Sequence, residues 1–231
     1  MHRRIRRPRQ GLLSDGLRGR RVVAAVVAGV VLLAVAFAVG RVTAPRVDTP
    51  GNLSAEAGFA RDMQVHHQQA VAMSMTIRDE TTDPDVRRLA YDIALGQSQG
   101  AGQLYGYLVD WNLPQASPEP AMTWMSLPPL AGANEGHQHD HAVTTPAGIV
   151  PGGAMPGYAT DAQLAKLGSL TGIPAERYFL TLMIAHHKGG IEMAESVLQR
   201  STYPPITAFA RNLVSVQQNE ITTMRAMLAE R

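Results

Sequence analysis

The chain is 231 residues long and 45% hydrophobic, with 11 methionines, only 5% aromatic residues and no cysteine. That length allows one or two domains with a core, the balance of Met, Ala and Leu over aromatics favours helices over sheets, and the missing cysteine excludes disulfides and thiolate ligands. The formal charge of +2 hides a division: residues 1–21 carry eight arginines and one aspartate, and the remainder is net acidic.

Directly after that tail, residues 22–40 read VVAAVVAGVVLLAVAFAVG, 19 positions without a charge. Such a run crosses a bilayer core of about 30 Å as a helix. Arginines before it and few basic residues just after it predict an N-terminus inside and the rest outside. The run exceeds the ~7–15 residues usual for a cleaved signal peptide, and VTAPR is a poor small-residue cleavage site. The expected order is a basic cytoplasmic tail over 1–21, a transmembrane signal anchor over 22–40 and a linker over 41–53. Residues 1–40 then have membrane lipid as their partner, with the arginines against anionic headgroups, and nucleic acid is not expected. Secretion after signal cleavage is the alternative.

From residue 54 the pattern turns helical. Ser54 suits an N-cap with Glu56 in the first turn. Phe59, Met63, His66, His67, Ala70, Met73 and Ile77 follow with three- and four-residue spacing. The helix fades at TTDP, where Asp83 caps and Pro84 opens a second helix that runs through Val86, Leu89, Ile93, Leu104 and Leu108 to about Trp111. Gly96, Gly100, Gly102 and Gly106 weaken it. Residues 112–160 hold many prolines and glycines and the stretch GHQHDH, and read as a long loop. A short helix (DAQLAKLGSL) follows, then a long one from about Pro174 to Arg200, and a last one from about Ile206 to Leu228.

The two halves match without a gap when 59–108 is laid on 179–228. The identical pairs include Phe59/Phe179, Met63/Met183, His66/His186, His67/His187, Met73/Met193, Pro84/Pro204 and Gln97/Gln217. Each half is a helical hairpin with an exposed apolar stripe, so two should pack as a four-helix bundle. The expected fold is all-α: a bundle over 54–230 made of hairpin 54–111, crossover loop 112–160 and hairpin 161–230.

Adjacent helical residues point about 100° apart, so one histidine of each pair faces the bundle axis and the other a neighbouring helix. Met63 and Met73, and likewise Met183 and Met193, share the stripe of one imidazole in each hairpin. Imidazole with thioether is a soft set that suits Cu(I), and imidazole alone suits Cu(II). His137, His139 and His141 form a His-rich tract of metal-binding type in the loop. Gly189 and Gly190 place small residues beside the second pair, letting the facing helix approach closely. Asp62 reads either as an acceptor that orients His66 or as a surface acid. Gln97 and Gln217 read as cross-bundle hydrogen-bonding residues or as plain structural ones.

The stretches FARDMQVHHQQAVAM and FLTLMIAHHKGGIEMAE, with MPGYATDAQLAKLGSLTG before the second, resemble the domain-of-unknown-function 305 family over about residues 54–230. The resemblance implies a ferritin-like four-helix architecture, an exported or membrane-anchored setting, and a link to copper binding and tolerance in some members. Carried over residue by residue, its paired M-x-x-H-H signature falls on Met63, His66, His67 and Met73, and on Met183, His186, His187 and Met193. Tyr158 departs from the methionine that similar proteins often carry in that stretch. The leading expectation is an outward-facing protein that buffers or hands over copper and needs no catalytic step. A ferritin-like metallo-oxidase is a second reading, though neither histidine pair has the Glu-x-x-His spacing of di-iron sites. A non-metal interaction or sensor domain, with the histidines tied up in separate hydrogen bonds, is a third.

Overall fold

The computed structural model describes residues 12–44, 48–131 and 150–231. These hold six α-helices, one turn of 3-10 helix and no strand, and the chain divides into units Met1–Asp48 and Thr49–Arg231. The first unit is helix α1, Leu12–Thr43. Its segment Gly19–Thr43 is long and apolar enough to cross a membrane. The helix overruns the expected 22–40 at both ends and takes Arg41, Val42 and Thr43 from the expected linker.

In the second unit α2 is Ala55–Glu80, α3 Pro84–Asp110, α4 Asp161–Leu167, α5 Gly172–Leu198 and α6 Pro204–Ala229. Helices α2 and α3 form one hairpin, α5 and α6 the other, and the hairpins meet along α2 and α5. The sequence's start signals hold. Ser54 accepts from the Ala57 amide, and Asp83 Oδ1 accepts from the amides of Asp85 and Val86. Pro84 and Pro204 each open the second helix of a hairpin. Helix α3 stays unbroken through its four glycines because Val86, Ala90, Ile93, Leu104 and Leu108 are fully buried. Each glycine costs about 1 kcal/mol against alanine, and each buried Ile or Leu returns about 1.5–3 kcal/mol.

Two apolar clusters make the core. One gathers Met63, Leu104, Leu108, Met193 and Val197; the other gathers Met73, Ile77, Ile93, Phe179 and Met183. Met63 pairs with Met193, and Met73 with Met183, so α2 and α5 run in opposite directions past each other. The histidines lie between the clusters. Each hairpin's two methionines thus lie on either side of its histidines along the helix, as their sequence positions before and after the pair require.

The crossover is more structured than a long loop over 112–160 implies. Met122, Trp124 and Met125 are buried around a 3-10 turn at Thr123–Ser126. Asp62 holds this turn: its Oδ2 accepts from the Met122 amide at 2.7 Å and from Trp124 Nε1 at 2.9 Å. Asp62 is therefore buried and is neither a partner of His66 nor a surface acid. Burial raises its pKa, opposed by those two hydrogen bonds and by Arg61. Trp124 packs edge-on to Phe59 and lies so close over Gly58 that a Cβ there would sit 2.5 Å from the Trp124 Cβ. From the α5 end, the Arg200 guanidinium donates to the carbonyls of Leu127 and Met125.

Asp62→Ala leaves two donors buried without an acceptor, at about 1–3 kcal/mol each. We expect the variant to lose roughly 2–5 kcal/mol of stability in urea unfolding, with a change in the emission of Trp124 in the folded state.

Candidate functional site

Helix α2 supplies His66 and His67, and α5 supplies His186 and His187; all four are buried, the most exposed at 3%. Neighbouring residues on a helix diverge by about 100°, so burying both requires cover on two sides. The α2–α5 seam gives one side and each hairpin's own second helix the other. His66 and His186 meet across the seam with ring centroids 3.7 Å apart and planes at 29°. These are residues at the same position of the two hairpins, so the matched positions stack on each other.

The outer histidines turn to the second helices. His67 turns to α3, where a Cβ on Gly100 would lie 2.8 Å from its Nε2. His187 turns to α6, where its Nε2 lies 2.6 Å from Glu220 Oε2. Gly100 and Glu220 occupy the same register at an offset of 120 residues. One hairpin therefore offers its outer imidazole a carboxylate, and the other offers it space.

A strap from the crossover covers the seam. His66 Nε2 donates to the Pro156 carbonyl at 3.0 Å. Gln69 holds Ala159 by both backbone groups, donating to its carbonyl at 2.8 Å and accepting from its amide at 2.7 Å. Tyr158 lies over the stacked pair, its ring centroid 6.2 Å from His66 and 6.4 Å from His186. Gly189 admits the strap: a Cβ there would fall 1.9 Å from the Pro156 oxygen. Gly157, at φ +68°, sits on the Ala185 carbonyl, where its own Cβ would come within 2.2 Å. The two glycines suggest in the sequence the close approach of a helix, but at Gly189 the neighbour is a loop. At Gly190 it is the Gln217 side chain, 2.5 Å from where a Cβ would stand.

Hydrogen-bond partners do not suffice for this layer. His66 Nδ1, His67 Nδ1, His187 Nδ1 and both ring nitrogens of His186 are buried with none. The Gln217 amide and Gln97 Oε1 are likewise unpartnered, so the expected cross-bundle bonds of these residues are not made. Burial drives His66, His67 and His186 to the neutral form. It pushes the pKa of His66 down to about 4, against the Pro156 bond, and that of His67 down to about 3 with help from His66 and His187. His186 is also held well below the ordinary imidazole value, by burial first and then by His66, His187 and His67. Neutral imidazoles keep a nitrogen lone pair for a ligand.

Met63, Met73, Met183 and Met193 are fully buried on the two sides of the layer. Among the described residues, no three His, Asp or Glu side chains converge on a single bonding point. His137, His139 and His141 lie outside the described residues. Sequence reasoning did not find Glu220, the Pro156 carbonyl or Gln69, although the mismatch Gly100/Glu220 opposite a matched histidine was a signal that could have pointed to the first.

The family model "Domain of unknown function (DUF305)" matches residues 56–228. A DUF305 protein of known crystal structure from Streptomyces coelicolor is 45% identical, with a TM-score of 0.65 over 78% of this chain and 95% of that one. A DUF305 fragment from Deinococcus radiodurans is 29% identical, with a TM-score of 0.58 over 77% of this chain and 97% of that one. CopM in its Cu(II)-bound form shares the fold at 20% identity, with a TM-score of 0.55 over 77% of this chain and 97% of that one. No curated protein matches.

Two outcomes follow from the geometry. In the metal-free protein the unfolded chain protonates His66 and His67 near 6.5, whereas the folded chain resists protonation until about 4 and about 3. Their contribution is complete above pH 6.5 and is lost as pH falls below it, at about 1.4 kcal/mol per pH unit for each ring; chemical denaturation at stepped pH reads this slope. Gly189→Ala drives a methyl into the Pro156 carbonyl. We expect it to displace the strap and lower stability by more than about 1 kcal/mol, with the Tyr158 ring signals shifting in the NMR spectrum.

Proposed function

The chain belongs to the DUF305 family, and on that premise we propose that it is a membrane-anchored, extracytoplasmic protein that binds copper to buffer it or hand it over. The observation that carries this reading is the layer of five partnerless imidazole nitrogens, bracketed by four buried methionine sulfurs. A buried polar atom without a partner costs about 1–3 kcal/mol, and a ligand that accepts those lone pairs removes the cost. Imidazole and thioether together favour a soft ion, Cu(I) before Zn(II) or Mg(II). CopM, solved with Cu(I), Cu(II) and Ag, provides a precedent for such ions on this fold.

The ligand set in this reading is Met63, His66, His67, Met73, Met183, His186, His187 and Met193. The stack of His66 on His186 presents faces, not nitrogens, between the rings. An ion shared by both therefore requires the rings to rotate apart, which places the loaded state at a distinct arrangement of the same side chains. His137, His139 and His141 serve as a capture arm ahead of the buried layer. Helix α1 is the anchor, with the N-terminus cytoplasmic, and the paired hairpins are a ferritin-like duplication whose matched positions form the centre. The copper is cargo, and no catalytic step is required.

The full chain in detergent, titrated with Cu(I), Cu(II), Zn(II) and Fe(II) against chromogenic chelators, tests the reading. Tight Cu(I) binding is expected. Changing His66, His67, His186 and His187 to alanine should weaken it at least 100-fold while the far-ultraviolet helical signal persists. Equal affinity in that variant, or iron uptake with oxygen consumption by the parent, overturns the proposal.

A further inference from the structure

The four histidines are not held alike, and the difference lies in who fixes the proton on each ring. A neutral imidazole has one N–H and one lone pair, and the partner of one nitrogen decides which is which. At His66 the partner is the Pro156 carbonyl, 3.0 Å from Nε2. At His187 it is Glu220 Oε2, 2.6 Å from Nε2. A carbonyl and a carboxylate only accept. In its neutral form each ring therefore carries the proton on Nε2 and leaves Nδ1, buried and unpartnered in each case, as the lone-pair nitrogen. His67 and His186 have no such acceptor: Gly100 stands where a carboxylate stands opposite His187, and neither nitrogen of His186 is bonded.

Glu220 itself sits on α6 with its side chain 22% exposed, and His187 is fully enclosed. The carboxylate thus bridges the solvent side of α6 and the buried layer. It touches one ring nitrogen only, Nε2, and leaves Nδ1 without a partner. A carboxylate placed behind an imidazole in this way fixes ring orientation and strengthens the opposite nitrogen as a donor, and losing such a partner commonly costs 10–100-fold in metal affinity.

We propose that Glu220 is a positioning residue for metal capture: it holds His187 in the tautomer and orientation that present Nδ1 as the strongest donor of the layer. The inference deepens the copper-binding reading and rests on it. The hairpins then contribute unequal donors. His187 is set by a charged acceptor, His66 by a backbone carbonyl that belongs to the strap, and His67 and His186 are free to choose either tautomer.

The test uses the full chain in detergent, with Glu220→Ala and Glu220→Gln beside the parent. Long-range proton–nitrogen NMR of the metal-free protein should show His187 with its proton on Nε2 in the parent. Glu220→Ala should mix or reverse that pattern and weaken Cu(I) binding, measured by chelator competition, about 10–100-fold. Glu220→Gln can still accept through its amide oxygen, and should keep the tautomer in part and lose less affinity than the alanine variant. Parental affinity in both variants, or a loss of affinity with the His187 tautomer unchanged, overturns the positioning role and leaves the copper reading standing. Absence of Cu(I) binding by the parent overturns both.

Discussion

Four imidazoles are packed into the middle of a helical bundle with too few hydrogen-bond partners, and most of the surrounding design answers to that constraint. Burial disfavours the charged form of His66, His67 and His186, and the rings stack, lean on glycine or find a single acceptor. His66 and His186 stack across the seam. The residues that line the histidines are small where rings or side chains need room: Gly100 under His67, Gly190 under Gln217 and Gly189 under the strap. Apolar clusters close both ends of the layer, each with one methionine from α2 and one from α5. An apolar set of similar volume would stabilise such a core more, because buried polar atoms without partners are costly. The layer is a place where the fold gives up stability.

What the sequence makes legible is what local chemistry decides. Ser54, Asp83, Pro84 and Pro204 mark helix starts because capping involves atoms within three or four residues. The core faces follow from three- and four-residue spacing, and the histidine and methionine positions follow from the 120-residue match. What stays hidden is decided by contacts across long stretches of chain. Asp62 meets Trp124, 62 residues away, and nothing in its own neighbourhood announces a buried carboxylate. His66 meets a carbonyl 90 residues on, and a carbonyl has no sequence signature at all.

Two departures from the match share an origin. One crossover docks on two hairpins, so the positions that hold it cannot be alike. Asp62, which grips the 3-10 turn, faces Leu182 in the match; Gln69, which grips Ala159, faces Gly189, which makes room for Pro156. The matched histidines build the layer, and these unmatched residues seat the segment that closes it.

That closure governs time as well as shape. With His66 beneath the strap, which is held by the Gln69–Ala159 pair and wedged at Gly189, no solute reaches that ring by simple collision. A solute that bound there would wait for a local opening, and at high concentration its rate of entry would level off at the frequency of that opening. Its escape would pass the same gate.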